Sequence, residues 1–298
     1  MQSTRKLFPV LGIFFGAILS NAAEKPNVIV IMADDLGYGD VSCYGATSLQ
    51  TPNIDRLAAE GVRFTSGYCS ASTCTPTRYS FLTGTYAFRS KGTGIAPPNS
   101  PAIVKPGMET LPSLLKKAGY QTAVIGKWHL GMDFASKDDK DVNKDGMNVD
   151  FSQAIKNGPN ALGFDEYFGI AASLNHSPHA FIHNDKILGP FTYIDDKKAL
   201  KARRIQGKLG WVSDSYEQDQ VLKTLTQKTS EWIHQQKKDK PFFIYMPLPS
   251  PHAPLVPSKD FLDKSGINLY ADFTMETDWV VGQVMKALDE SGHADNTL

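Results

Sequence analysis

Three cysteines in 298 residues are too few for a disulfide scaffold. No apolar run reaches the ~18–20 residues a helix needs to span a bilayer, which argues against an integral membrane protein. Charge of one sign is also missing. The 31 basic and 31 acidic residues give a formal net charge of zero, so composition makes no case for a nucleic-acid protein or another polyanion binder. What is present is ordinary globular composition, 41% hydrophobic and 21% charged, which argues against a disordered or collagen-like chain. The length suits one large domain or two small ones.

Residues 1–22 read as a secretory signal. Arg5 and Lys6 form a basic start, and Leu7 to Leu19 is an apolar stretch too short to span comfortably. Ser20-Asn21-Ala22 then places small residues before a cut after Ala22. An uncleaved anchor is the alternative, and the lack of a following Cys disfavours a lipoprotein. The mature domain, 23–298, is expected to work outside the cytosol, in the periplasm or secreted, where disulfides are permitted. Cys43 and Cys69 are candidates to pair there, which the sequence leaves open.

Val28 to Met32 is a continuous apolar run rich in β-branched residues. It predicts a buried parallel strand, with Asp34-Asp35-Leu36-Gly37 as the loop at its C-terminal end. Thr51-Pro52-Asn53 predicts a helix start, Ile54 to Glu60, ended by Gly61, and Val62 to Phe64 a short strand. Further helices are predicted over Leu111 to Ala118, Tyr216 to Gln236 and Tyr270 to Leu288, and strands over Gln121 to Ile125 and Pro241 to Met246. Strands alternating with helices imply an α/β fold: a mostly parallel sheet with helices on both faces. In such folds ligands bind beyond the C-terminal ends of the strands. Three polar clusters fall there: Asp34-Asp35, Lys127 with His129, and His252. Three at one edge of one inferred sheet point to a single site. Asp138 to Asp150 reads as an exposed loop.

Taken alone, Cys74-Thr75-Pro76-Thr77-Arg78 is a Cys in a Pro-containing turn before a helix, and an isolated Lys or His is a surface or core residue. Together and in order, the segments say more. PNVIVIMADDLGYGD (Pro26 to Asp40), TPNIDRLAAEGVRFT (Thr51 to Thr65), CTPTR, GKWHLG (Gly126 to Gly131), PFFIYMPLPSPHAP (Pro241 to Pro254) and VGQVMKALDESG (Val281 to Gly292) give the chain its identity. It resembles the type I sulfatases, relatives of alkaline phosphatase, from Lys25 to the last residue.

The resemblance implies that Cys74 is oxidised to formylglycine, whose hydrate is the nucleophile. One hydroxyl of a hydrate attacks sulfur and expels the alcohol. The other then loses its proton and collapses to the aldehyde, releasing sulfate, whereas a plain Ser would stay sulfated. A helix after the motif would favour an anion at its N-terminus. Asp34, Asp35 and position 74 match ligands of one active-site calcium, a hard cation suited to oxygen donors. Arg78 would hold the hydrate and the metal-side carboxylates through its planar fork. Lys127 would contact a sulfate oxygen, His129 would help deprotonate the hydrate, and His252 is the candidate general acid for the leaving oxygen. Ser173 lies near where sulfatases often place a polar sulfate contact, and joins Lys127 and His252 in the substrate-binding set. Asn175, His176 and His179 are candidate pocket residues. The spacing of His176, His179 and His183 also suggests zinc, but no Cys or fourth ligand is evident and ordinary histidines are the better reading. Asp141-x-Asn143-x-Asp145-Gly146 copies the start of an EF-hand loop. Position twelve is Ser152 rather than Glu, which favours a solvated loop over a second, structural calcium.

Two departures from the family matter. Leu82-Thr83-Gly84 is followed by Thr85, where many sulfatases have Arg, in the stretch by which a formylglycine-generating or equivalent maturation enzyme recognises its target. The family also continues past the position of Leu298 into a buried strand, an Asp-Asn pair that completes the calcium site, a later sulfate-binding Lys and a small antiparallel domain. The chain is therefore expected to be a fragment, poorly active and marginally stable as it stands. The expected activity is hydrolysis of sulfuric esters, of a sulfated carbohydrate or an aryl sulfate. Alternatives are a phosphonate or phosphodiester hydrolase sharing the site, or a non-catalytic protein that binds sulfated glycans.

Overall fold

The computed structural model describes residues 25–298, so the expected signal segment, 1–22, lies outside the described residues. In chain order the elements are β1 (Val28–Asp34), α1 (Pro52–Glu60), α2 (Cys74–Thr83), α3 (Leu111–Lys117), β2 (Gln121–Lys127), β3 (Glu166–Ile170), β4 (Ile182–His183), β5 (Lys186–Ile187), β6 (Phe191–Ile194), α4 (Lys197–Ala202), β7 (Gly210–Ser213), α5 (Val221–His234), β8 (Phe242–Pro251) and α6 (Leu269–Ser291). Six strands form one sheet in the order β1-β8-β2-β3-β4-β5. The first four in that order run parallel, β4 returns antiparallel to β3, and β5 pairs antiparallel with β4. β6 and β7 make a separate antiparallel ribbon. Among the described residues no helix is long and apolar enough to cross a membrane.

The sequence of β8 explains why it sits in the middle. Every residue from Phe242 to Pro251 is buried. Successive side chains of a strand point to opposite faces, so both faces must be covered. Phe242, Ile244, Met246 and Leu248 pack with Val221 and Leu225 of α5 and Phe273, Val280 and Val284 of α6. Phe243 and Tyr245 pack on the other face with Tyr79 and Leu82 of α2, Val124 of β2 and Phe164. The expected sheet with helices on both faces is observed.

Several expectations need correction. Asp34 is not in a loop: β1 extends to include it. β2 likewise runs on to Lys127, two residues past the expected end, and β8 to Pro251. Val62 to Phe64 is not a strand but exposed coil: the charged Arg63 interrupts the apolar pair, and the three residues are too few to bury a face. The helix expected from Tyr216 starts at Val221, after a 3-10 turn at Gln218–Gln220. The stretch from Asp138 to Asp150 is exposed over most of its length, but Gly146, Asn148 and Val149 are buried.

Candidate active site

β1, β2 and β8 end at one edge of the sheet, which brings Asp34, Lys127 and His252 together as expected. Arg78 joins them from α2. It lies one turn after Cys74, on the helix face that also buries Thr75, Tyr79 and Leu82. Asp34 is 5% exposed, Arg78 1% and Lys127 0%. Lys127 Nζ donates to Asp34 Oδ2, Arg78 Nη2 lies 3.4 Å from Asp34 Oδ1, and Arg78 Nη1 donates to Lys127 O at 3.1 Å. Burial pushes the Asp34 carboxyl up, but Lys127 and Arg78 outweigh it and hold it below the usual range. Burial pulls the Lys127 ammonium down, with Asp34 opposing. The trio carries two cations and one anion, so one positive charge is left uncompensated in the interior. Arg78 Nε is also buried without a partner. An excess buried cation beside an unspent N–H is a setting for an anion.

Cys74 is the first residue of α2, and its N-cap, Thr73, makes no side-chain cap bond. Asp34, Asp35, Cys69, Cys74, Thr77 and Arg78 line one groove of about 210 Å³. A larger groove of about 450 Å³, walled by Tyr68, Phe81 and Tyr86, adjoins it. That groove holds no carboxylate, amine or imidazole, so the smaller one carries the chemistry. All three cysteines are free thiols, so the open pairing of Cys43 with Cys69 is not made in this structure.

Asp35 stands at the mouth, with its side chain 60% exposed and its φ at 62°. The Tyr270 hydroxyl lies 3.0 Å from Asp35 O and 2.8 Å from Asp40 Oδ2, which fixes the turn after β1. His252 Nε2 is 3.5 Å from Asp35 Oδ2.

His129 lies behind the groove, outside its lining, where it feels the charges of Lys127 and Arg78. Its Nε2 lies 3.1 Å from Ala96 O. A carbonyl only accepts, so Nε2 carries the proton and the neutral ring keeps its lone pair on Nδ1. That Nδ1 is buried and unpartnered. Thr75 Oγ1 donates to His129 O at 2.9 Å and accepts from Ala96 N at 3.1 Å, closing a ring that ties α2 to the His129 turn. Burial, then Lys127, pushes the His129 pKa down to about 3. His129 also holds a left-handed φ of 55° while 1% exposed. Left-handed non-glycine residues at His129 and Asp35 are strained positions held by their surroundings, as functional sites often are. The His176 ring is 5.5 Å away, and burial, then Lys208 and Lys127, lowers its pKa to about 4.

Ser173 is buried and its carbonyl accepts from His176 N at 2.9 Å, but no side-chain hydrogen bond ties it to the groove. Asn175 follows with a buried, unpartnered Oδ1. The zinc arrangement is not formed. His179 gives Nε2 to Lys208 O at 2.9 Å, and exposed His183 turns to Glu166 Oε1 at 2.6 Å. At the Asp141–Asp145 loop the Asn148 amide donates to Asp138 Oδ1 at 2.9 Å and to Asp141 O at 3.0 Å. Among the described residues no three His, Cys, Asp or Glu side chains are grouped to hold a metal. Asp34 and Asp35 supply carboxylate oxygens of the right kind for calcium at the groove beside Cys74, though fewer than the ~6–8 that calcium takes. Thr75, Asp40 and Tyr270 were not predicted. Thr75 lies inside the CTPTR motif and Asp40 closes the first matched segment, so both were in view without a role. Tyr270 had no local signal.

A family model described as Sulfatase matches residues 26–298. The chain is 36% identical to the N-acetylgalactosamine-6-O-sulfatase of Bacteroides thetaiotaomicron, over 93% of this chain and 58% of that protein. It is 33% identical to human steryl-sulfatase, over 100% of this chain and 58% of that one. A solved structure from work on glycosaminoglycan metabolism by Bacteroides thetaiotaomicron superposes with a TM-score of 0.80 at 35% identity, covering 92% of this chain and 61% of that one. The chain thus spans a little over half the length of these relatives. With the family's motifs carried on one sheet edge and the family model matched from Pro26 to Leu298, the chain belongs to the sulfatase family.

Proposed function

We propose that the protein hydrolyses sulfuric esters, with a sulfated carbohydrate as substrate. The observation that carries this is the uncompensated positive charge of Asp34, Arg78 and Lys127, buried against Cys74 at the head of α2. It suits a sulfuryl group whose negative charge grows in the transition state. The relative at 36% identity, named for a 6-O-sulfated amino sugar, supports the carbohydrate.

Position 74 would be formylglycine, whose hydrate supplies a nucleophilic hydroxyl and a second hydroxyl through which sulfate is released. Asp34 and Asp35 would hold a calcium ion, which supplies positive charge against the sulfuryl oxygens. Lys127 and Arg78 then orient the sulfate and take up its charge. His129 Nδ1 accepts a proton from the hydroxyl at position 74, and an arriving anion raises the basicity that Lys127 depresses. His252, half-buried at the mouth beside Asp35, delivers a proton to the leaving oxygen. Export is proposed on the strength of residues 1–22.

The test pairs 6-sulfated N-acetylgalactosamine and an aryl sulfate with the matching phosphate esters, in protein matured by a formylglycine-generating enzyme. Sulfate release should exceed phosphate release. Cys74→Ala should lose on the order of 10³-fold or more in kcat together with hydrazide labelling of the aldehyde. Faster phosphate or phosphonate cleavage would transfer the protein to the phosphonate hydrolase reading. Glycan binding without turnover in labelled protein would support the non-catalytic one.

A further inference from the structure

We propose that α4 and the segment after it, Lys197 to Lys208, form a docking strip for an anionic glycan chain, one sulfated sugar of which sits in the Cys74 groove. The proposal rests on the hydrolase reading above and names the form of its substrate: a polymer bearing several anionic groups.

Zero net charge conceals a segregation. Lys197, Lys198, Lys201, Arg203, Arg204 and Lys208 are six cations in a twelve-residue stretch without one acid. Taking those six away leaves 25 basic residues against 31 acidic ones in the rest of the chain. The fold displays the cations outward. Leu200 and Ile205 are buried in the core with Ile194 and Val212, while every other residue from Lys197 to Lys208 is exposed. Charge runs usually serve only to solvate a face. A solvating face mixes its signs, as α5 does with Lys228–Glu231 and α6 with Lys286–Glu290. Here Arg203 alone has an acidic partner, Asp214 at 2.9 Å. The preceding Asp196 is engaged in accepting from Ala199 N at 2.8 Å.

The strip runs into the site. Lys208 N donates to Asn175 O at 2.9 Å, and His179 Nε2 donates to Lys208 O at the same distance. A Cβ on Gly207 would lie 2.8 Å from Asn175 Cα, so the two backbones are in close contact. Between Asn175 and His179 stands His176, which feels the charge of Lys208 from one side and of Lys127 and His252 from the other. The positive field of the groove therefore continues through Lys208 onto α4. One sulfate cannot meet this length of charge; a polyanionic chain can, and the field would gather it.

The experiment measures binding of chondroitin 6-sulfate, neutral dextran and a single-stranded oligodeoxynucleotide to protein carrying Cys74→Ala, so that the bound chain is not consumed. Adding Lys197→Ala, Lys198→Ala, Lys201→Ala and Arg204→Ala should weaken chondroitin sulfate binding about tenfold or more at low salt and flatten its salt dependence. The thermal midpoint should be unchanged. A single Lys201→Glu reversal should weaken binding in the same direction. Affinity within about twofold of the parent, or an oligonucleotide bound by the parent as tightly as the glycan, would overturn the proposal. Sulfate release from the 6-sulfated monosaccharide, with Cys74 intact, reads the hydrolase separately. Release with unchanged polymer binding removes the strip alone. Lost polymer binding without release from any sulfate ester leaves the strip and removes the hydrolase.

Discussion

Along α6 and around the groove, ionisable side chains of similar burial do opposite work. On α6, Asp272, Glu276 and Asp278 are 1%, 0% and 3% exposed, and each serves the backbone of a segment outside the helix. Asp272 accepts from Asp263 N and Ser265 N, both at 2.8 Å, and Glu276 accepts from Ser258 N at 2.8 Å. Asp278 accepts from Asn53 N at 3.0 Å and Ile54 N at 2.8 Å, and so caps α1. In the groove, Asp34, Arg78 and Lys127 bind chiefly one another and leave Arg78 Nε and His129 Nδ1 without partners. Acids that hold a fold together spend their valence on fixed amides. Groups arranged for a ligand keep some unspent. Glu276 falls between, since its Oε1 is unpartnered and burial pushes its pKa up to about 7.

The largest effect expected breaks the groove side. Asp34→Ala strands two buried cations, so urea unfolding should show a loss of about 3–5 kcal/mol. A loss under about 1 kcal/mol would mean that the cluster is hydrated rather than coupled.

Next comes pH. Folded Glu276 titrates near 7 against an ordinary 4.5, so the folded state binds the extra proton and stability falls as pH rises between those values. Folded His129 titrates near 3 against 6.5, so the unfolded state binds the extra proton and stability rises across that range. Folded His176, near 4, adds a rise of the same sign, so between about pH 4.5 and 6.5 the fall from Glu276 opposes both histidines, and above 6.5 the fall continues alone. Glu276→Gln should remove a decline of up to about 3 kcal/mol and leave the rise from His129 and His176. Parallel curves of unfolding free energy against pH for parent and variant would refute this assignment.

The smallest effect lies on the α6 side. Asp278→Ala uncaps α1 and should cost about 1–2 kcal/mol, less than Asp34→Ala because no charge is stranded. Equal losses for the two would erase the distinction between the regions.

Much of this was legible in local sequence. The β-branched run from Val28 and the PFFIYM segment are buried strands because their composition allows little else. Their shared edge then grouped Asp34, Lys127 and His252. The continuation of β8 through Pro247, Pro249 and Pro251 was not legible, since proline in a central strand argues against one. It is possible because pairing with β2 ends at Tyr245, and beyond that β8 pairs with β1 only at Ile31, Met32 and, after an irregularity, Asp34. The cap of α1 was hidden for another reason: Asp278 lies 225 residues beyond Asn53. Thr75, Asp40 and Tyr270 gain their places from tertiary contacts that no periodicity encodes. Net charge misled in a further way, since it averaged the Lys197–Lys208 stretch against the whole chain.

The strand contacts beside Lys127 set terms for anyone who would redirect this protein. A Cβ on Gly169 would lie 1.8 Å from Gly126 O, and one on Gly126 would lie 2.1 Å from Pro247 O. Three neighbouring backbones therefore touch at one level, and even alanine there would shift β2 against β3 or β8. A mutational library should leave both glycines untouched and place its diversity at exposed residues between Ala171 and Lys208, where changes need not move Lys127.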